Sequence, residues 1–230
     1  VYPLPLASFI TDTLASCGPK TIQFTNLSAP NDTGTIAHMG FDWDFGNSIF
    51  STTKDTSIQY IASSTKDSIY TVKLIAYSEH QCKDSAAKNI TIYPKPLSYF
   101  EVVNNGSCSP LSVQFQNTSV PYDTGSIADM TFNWDFGQGS KSSSIDSSIV
   151  YNVITTFDTN YVVKLIAISE HNCKDTFVDS IFVSVSPKSS FTIDLTEGCG
   201  PLEVTLLNTD IQADSVYWNI GNAYFYGPAD

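Results

Sequence analysis

A repeat with a period of 91 residues runs through this 230-residue chain and constrains its fold more than any other feature. Cys17, Cys108 and Cys199 are each 91 residues apart. Trp43 and Trp134 have the same offset, and each begins a Trp-Asp-Phe-Gly stretch. A period of this length fits one small domain per repeat. The chain is therefore predicted to consist of tandem copies of one fold.

The register of the repeat sets the predicted domain boundaries. Residues 1–6 match residues 92–97 and are interpreted as the tail of a preceding repeat or a linker. Repeat 1 then covers residues 7–97, repeat 2 covers 98–188, and 189–230 form the N-terminal part of repeat 3. The sequence is accordingly expected to be a piece of a longer array.

Within each repeat, apolar and polar residues alternate with a period of two, which is typical of half-buried strands. The clearest run has its apolar members at Tyr70, Val72, Leu74 and Ala76. Clusters of Ser, Thr, Asn, Gly and Pro separate such runs, and no convincing helical periodicity is present. About seven short strands around one central Trp indicate an all-β chain of tandem Ig-like, seven-stranded β-sandwiches in an extended array.

Two kinds of aromatic residue are predicted to anchor these sandwiches. One tryptophan per repeat is expected in the core, at Trp43, Trp134 and Trp218. Tyr70 and Tyr161, each at the start of the penultimate strand, suit a tyrosine corner.

The charge of the chain excludes some partners. The formal net charge is −12, and all eleven basic residues are lysine. Nucleic acid and anionic membrane surfaces are therefore poor partners. No apolar stretch is long enough to span a membrane, so no membrane insertion is expected in this segment. No signal-peptide pattern begins the chain.

Two motifs of the complete repeats resemble those of PKD domains. The first is Trp-Asp-Phe-Gly, at 43–46 and 134–137, and the second is Tyr-x-Val-x-Leu, at 70–74 and 161–165. The resemblance covers two full repeats and one partial repeat, although Asn47-Ser48 replaces the usual Asp-Gly. The Cys-x-Pro and Cys-Lys-Asp stretches are similar to those of PKD arrays in large surface proteins of gliding Bacteroidota.

This resemblance implies a function without catalysis. The chain is expected to be a structural stalk segment of an extracellular adhesin, secreted or attached to the outer membrane, whose partners are neighbouring repeats of the same chain. In such a protein the stalk would carry load for a distal adhesive region during gliding or surface adhesion. Two alternatives remain: a module that binds surface polysaccharide or another surface protein, and an accessory region of a secreted hydrolase.

Five cysteines in a strand-rich acidic repeat suggest an oxidising compartment. The simplest pairing, Cys17–Cys82, is disfavoured, because strands B and F of an Ig-like sandwich run in the same direction. These cysteines would lie at opposite ends of the module, about 26 Å apart for a strand of about eight residues. The preferred pairing is Cys17–Cys173 between repeats 1 and 2. Intradomain pairing and unpaired cysteines remain alternatives. In the preferred scheme the other cysteines pair with repeats outside this sequence, and they are Cys82, Cys108 and Cys199.

The remaining candidate sites concern ions and sugars. No cofactor is expected, although calcium is possible, since some PKD relatives bind it near equivalent positions and carboxylate oxygens suit it. The candidate ligands are Asp32, Asp42, Asp44, Asp123 and Asp135. The alternative is that these acids serve turns and solvation. Short Asp-Ser and Asp-Thr motifs resemble Bacteroidota O-glycosylation sites, with candidates at Thr13, Ser68, Ser85, Ser180 and Ser215. His80 and His171, each after a glutamate, are interpreted as exposed loop histidines.

Overall fold

The computed structural model describes residues 2–31, 34–103, 106–123 and 125–228. Over these ranges the fold is all-β, with two three-residue 3-10 turns at Ile36–His38 and Ile127–Asp129. Within the described ranges, no helix has the length and apolar character needed to cross a membrane.

Repeat 1 is a sandwich of two sheets. The first sheet has the order β1-β3-β6, with β1 at Phe9–Thr11, β3 at Lys20–Asn26 and β6 at Thr56–Tyr60. The second has the order β2-β8-β7-β4-β5, with β2 at Ala15–Cys17, β4 at Gly40–Asp44, β5 at Phe50–Ser51, β7 at Ser68–Tyr77 and β8 at Lys83–Tyr93. All pairs are antiparallel except β2 with β8, which is parallel. The first strand of the predicted sandwich is thus divided into two, with β1 in the first sheet and β2 in the second.

Repeat 2 has the same plan. Its first sheet has the order β13-β10-β9, with β9 at Phe100–Val102, β10 at Leu111–Asn117 and β13 at Ser147–Tyr151. Its second has the order β12-β11-β14-β15, with β11 at Thr131–Asp135, β12 at Lys141–Ser142, β14 at Thr159–Ile168 and β15 at Lys174–Val183. A single parallel bridge between Cys108 and Ser184 stands where repeat 1 has the β2–β8 ladder.

One tryptophan lies at the centre of each complete sandwich. Trp43 and Trp134 are each 1% exposed, within separate clusters of buried apolar residues. In repeat 1 the Trp43 ring packs against three phenylalanine rings whose centroids lie 5.1–5.8 Å away. Both indole N–H groups donate to backbone carbonyls, at 2.9 Å for Trp43 and 3.0 Å for Trp134. Burial of each polar N–H is therefore compensated.

The two predicted corner tyrosines are half-buried at the edge of these cores. The Tyr70 hydroxyl donates to the Ile61 carbonyl at 2.7 Å, and the Tyr161 hydroxyl donates to the Asn152 carbonyl at 3.4 Å. Each bond returns to the backbone nine residues upstream, as a tyrosine corner does.

Repeat 3 differs from the first two repeats in its strands. It contains two separate hairpins, β16 (Phe191–Ile193) with β17 (Leu206–Asn208) and β18 (Ser215–Ile220) with β19 (Ala223–Pro228). None of its described apolar residues is buried. Trp218 is half-exposed and touches Phe191 edge-on, with centroids 5.4 Å apart. The prediction of Trp218 as a core residue is corrected, because no second sheet covers it in the described part of the repeat.

The glycine of the Trp-Asp-Phe-Gly stretch provides a matched test of the packing. Gly137 has φ +78°, and a Cβ there would lie 2.6 Å from the Val162 carbonyl oxygen. Gly139 has φ +89°, and a Cβ there would meet nothing within 4 Å. We expect Gly139→Ala to lower the free energy of unfolding of repeat 2 by about 1–2 kcal/mol, through backbone conformation alone. Gly137→Ala should cost about 1–3 kcal/mol more, because it also overpacks the sheet. Urea unfolding of the two variants measures the difference, and equal losses would contradict the close contact.

Candidate functional site: the junction between repeats

A disulfide joins the two complete repeats. Cys17 of repeat 1 bonds to Cys173 of repeat 2, with an S–S distance of 2.02 Å and a Cα–Cα distance of 5.5 Å. The predicted pairing is confirmed, and Cys17 does not pair with Cys82, which is a free thiol. The bond lies between modules and fixes the end of one sandwich to a loop of the next.

The position of Cys17 follows from the divided first strand. β2 runs parallel to β8, and this register places Cys17 opposite Tyr93, the last residue of β8. The Gly18 amide extends the pairing by donating to the Tyr93 carbonyl at 2.9 Å. Because β8 leads directly into repeat 2, its end carries Cys17 to the junction.

Repeat 2 presents His171 and Cys173 on the loop between β14 and β15. The His171 ring stacks on Tyr93, with centroids 3.7 Å apart and an interplanar angle of 19°. The His171 carbonyl lies 3.8 Å from the Cys17 sulfur, and Cys173 is 1% exposed. Two residues of each repeat, Cys17 and Tyr93 with His171 and Cys173, thus form one contact, here called the junction set.

The interpretation of His171 as an exposed loop histidine is therefore corrected. Its ring is half-buried because it covers an aromatic residue of the neighbouring repeat. The signal was present in the sequence, since Tyr2 and His80 precede Tyr93 and His171 by 91 residues. Alternation within one repeat does not reveal a contact between two repeats.

The aspartate of each Cys-Lys-Asp stretch holds the start of its own repeat. The Asp84 carboxylate accepts a hydrogen bond from the Ala7 amide at 2.9 Å, and Asp175 accepts one from Ser98 at 2.9 Å. The loop that carries the junction cysteine is thereby tied to the point where the linker enters the sandwich. A charged acceptor strengthens such a bond.

A small ionisable cluster lies beside the junction set. Side-chain donor atoms of Asp123, Glu170 and His171 lie within 4.8 Å of one another. The His171 Nε2 atom is 3.7 Å from a Glu170 carboxylate oxygen. One imidazole and two carboxylates differ from the all-oxygen ligand set that calcium prefers.

The predicted calcium ligands are distributed over turns and strand faces. Asp44 and Asp135 each accept the amide of the glycine two residues on, at 2.9 Å and 3.1 Å, and so close the turn after their strand. Asp42 accepts the Tyr77 hydroxyl at 2.8 Å, a bond that raises the pKa of Tyr77. Among the described residues, only Asp123 of the five joins a cluster of three potential ligands. Asp32 lies outside the described residues. These contacts fit turn chemistry better than a calcium site.

The predicted sugar acceptors differ in exposure. Ser85, Ser180 and Ser215 are exposed, whereas Thr13 and Ser68 are half-buried. The Thr13 hydroxyl donates to the Ala15 carbonyl at 2.6 Å, and the Ser68 hydroxyl accepts the Ser63 amide at 2.7 Å. The three exposed serines are therefore the better acceptors, and their glycosylation stays a prediction.

Neither a family model nor a curated protein matches this chain. Two of the similar solved structures are single bacterial domains. The PKD1 domain of Vibrio anguillarum Epp is 27% identical, covers 41% of this chain and 99% of its own, and has a TM-score of 0.33. The PKD1 domain from the Vibrio cholerae metalloprotease PrtV is 28% identical, covers 39% and 98%, and has a TM-score of 0.32. The Clostridium thermocellum CbhA fibronectin(III)-like modules are 12% identical, cover 77% and 94%, and have a TM-score of 0.36.

The two complete repeats are PKD/Ig-like β-sandwiches. Their sheet orders, the buried tryptophan on β4 and β11, and the tyrosine at the corner are the features of an Ig-type sandwich. The glycine of each Trp-Asp-Phe-Gly stretch lies where a side chain would strike the facing strand.

Proposed function

We propose that this chain is a non-catalytic segment of an extracellular stalk, in which tandem PKD-like repeats project and carry load for a distal adhesive region. The observation that carries the proposal is the disulfide between consecutive repeats, Cys17–Cys173. A bond between modules does not complete either core, and its mechanical effect is to restrict how one repeat moves on the next.

Two further observations support a restricted junction. The linker is short and contains Pro94 and Pro96, which limits backbone freedom between the sandwiches. The Tyr93–His171 stack adds a second contact beside the disulfide. Together with the disulfide they restrict the relative orientation of the two repeats.

The proposed location is outside the cell, secreted or attached to the outer surface. Disulfides form and persist in oxidising environments, and this one closes a span of 156 residues. The net charge of −12 keeps such an array soluble and opposes association between neighbouring stalks. The proposed partners are adjoining repeats of the same protein. Gliding or surface adhesion is the proposed setting.

The stiffness of the junction tests this function. Spin labels on the free thiols Cys82 and Cys108, with Cys199→Ser, report the distance between repeats 1 and 2. We expect a narrow distance distribution in the oxidised chain. The distribution should broaden severalfold when Cys17→Ser and Cys173→Ser are introduced together. Near-ultraviolet circular dichroism checks that both sandwiches remain folded.

Equal widths with and without the disulfide would contradict a load-bearing stalk. If the chain by itself also bound surface polysaccharide, the binding-module function would replace it.

A further inference from the structure

Repeat 1 carries the same surface that repeat 2 uses at the junction. The 91-residue register maps His171 onto His80 and Cys173 onto Cys82. Both residues of repeat 1 lie on the equivalent loop, between β7 and β8. Tyr2, His80 and Cys82 are here called the open junction half.

The aromatic contact of the junction is already formed at this surface. Tyr2 stacks on His80 with centroids 3.6 Å apart and an interplanar angle of 18°. The corresponding values for Tyr93 and His171 are 3.7 Å and 19°. The two contacts are thus equivalent in residue type, register and geometry. Tyr2 takes the position that Tyr93 holds at the end of the last strand of repeat 1.

The difference between the two surfaces is coverage. Cys173 is 1% exposed beneath its disulfide partner, whereas Cys82 is a half-buried free thiol. Tyr2 is 58% exposed, whereas Tyr93, which is paired with Cys17 across β2 and β8, is half-buried. At the junction, the Cys17-Gly18-Pro19 loop of repeat 1 lies beside Tyr93 and covers the surface of repeat 2. Among the described residues, no such loop lies beside Tyr2 at the open junction half.

We propose that the open junction half is a docking surface for the Cys-x-Pro loop of another repeat with the same fold. Cys82 forms a second inter-repeat disulfide there. The occupant is the repeat to which Tyr2 belongs by the 91-residue register, because the junction tyrosine and the junction cysteine come from the same repeat. The proposal rests on the stalk function and specifies its partner.

The chemistry requires an oxidant. The Cys82 thiol and the partner thiol lose two protons and two electrons, and one S–S bond forms between them. A small-molecule disulfide such as oxidised glutathione accepts the electrons and leaves as two thiols. The first attack gives a mixed disulfide, and the second protein thiol resolves it.

The stacked ring distinguishes this surface from the other free cysteines. Cys108 faces Ser184, which stands where repeat 1 has Tyr93. A junction after repeat 2 would therefore lack the aromatic contact. Cys82 is thus the free cysteine whose surface already has a tyrosine stacked on a histidine, as at the observed junction.

An extended chain tests the proposal directly. A copy of residues 1–91 placed before Val1 preserves the repeat register, and its Cys17 then lies 156 residues before Cys82, the separation seen in the existing disulfide. The copy carries Cys82→Ser, so that each cysteine-containing peptide is unique. Trypsin then gives two Cys17 peptides of different mass. The peptide from the added copy covers residues 1–20, whereas the one from the original chain also includes residues 89–91 of the copy at its N-terminus.

After refolding in a glutathione redox buffer, we expect the copy's Cys17 to be linked to Cys82. Alkylation of Cys82 should fall at least tenfold relative to the unextended chain. The parent Cys17–Cys173 link is the internal control for folding and oxidation. Cys17→Ser in the copy should restore full alkylation of Cys82.

A fully alkylated Cys82 beside an intact Cys17–Cys173 link would overturn the proposal. The stalk function would then stand or fall separately on the spin-label distances. Should the added copy misfold, peptide mapping of the full-length native protein gives a second reading. A Cys82 peptide linked to a Cys-x-Pro peptide supports the proposal, and a Cys82 peptide recovered as a free thiol overturns it.

Discussion

Pulled from its two ends, the oxidised chain should not release the extension of residues 18–172, which lie between Cys17 and Cys173. Tension enters through the first seventeen residues, crosses the disulfide and leaves through Cys173. The strands between these residues lie outside this path. Fully extended, a segment of this length spans roughly 500–560 Å. Reduction of the disulfide should make that length available when the sandwiches unfold.

Optical tweezers with handles on the two termini measure this effect. The free cysteines are first replaced, by Cys82→Ser, Cys108→Ser and Cys199→Ser, so that only one disulfide can form. A matched variant with Cys17→Ser should extend fully under oxidising and reducing conditions alike. If the oxidised chain released the full extension without a reductant, the disulfide would not be the load path between these repeats.

The second large effect concerns the core tryptophans. Trp134→Ala should lower the free energy of unfolding of repeat 2 by about 3–5 kcal/mol, because it removes a 1% exposed ring at the centre of the sandwich. Trp218→Ala, at a half-exposed ring in repeat 3, should change the free energy of unfolding of its own repeat by less than about 0.5 kcal/mol. Urea unfolding at intact Cys17–Cys173 measures both.

These two variants compare the loss of a buried tryptophan in repeat 2 with the loss of a half-exposed tryptophan in repeat 3. Trp43 remains in both variants and reports whether repeat 1 is unchanged. Equal losses for Trp134→Ala and Trp218→Ala would mean that repeat 3 builds a core of its own, contrary to the exposed apolar residues described there.

The disulfide was predictable because strand direction is a property of the fold class. In an Ig-like sandwich, Cys17 before β3 and Cys82 after β7 lie at opposite ends, whatever the side-chain details. The division of the first strand was not predictable in this way. Residues 9–17 show no clear alternation, and the parallel pairing of β2 with β8 depends on backbone contacts with a distant strand.

The Tyr93–His171 stack could not be predicted from the pattern of a single repeat. Both residues recur at the period of the repeat, yet their contact joins two different repeats and has no local signature. Trp218 shows the opposite case. Its Trp-Asn-Ile-Gly stretch shares the tryptophan and glycine of the stretches at Trp43 and Trp134, but a core needs a facing sheet, and residue identity alone does not supply one.

Non-reducing peptide mapping by mass spectrometry of the full-length native protein shows whether a disulfide joins consecutive repeats. We predict a peptide containing Cys17 linked to one containing Cys173. A Cys17–Cys82 link would contradict it, because each sandwich would then be closed on itself and the junction would be free to bend.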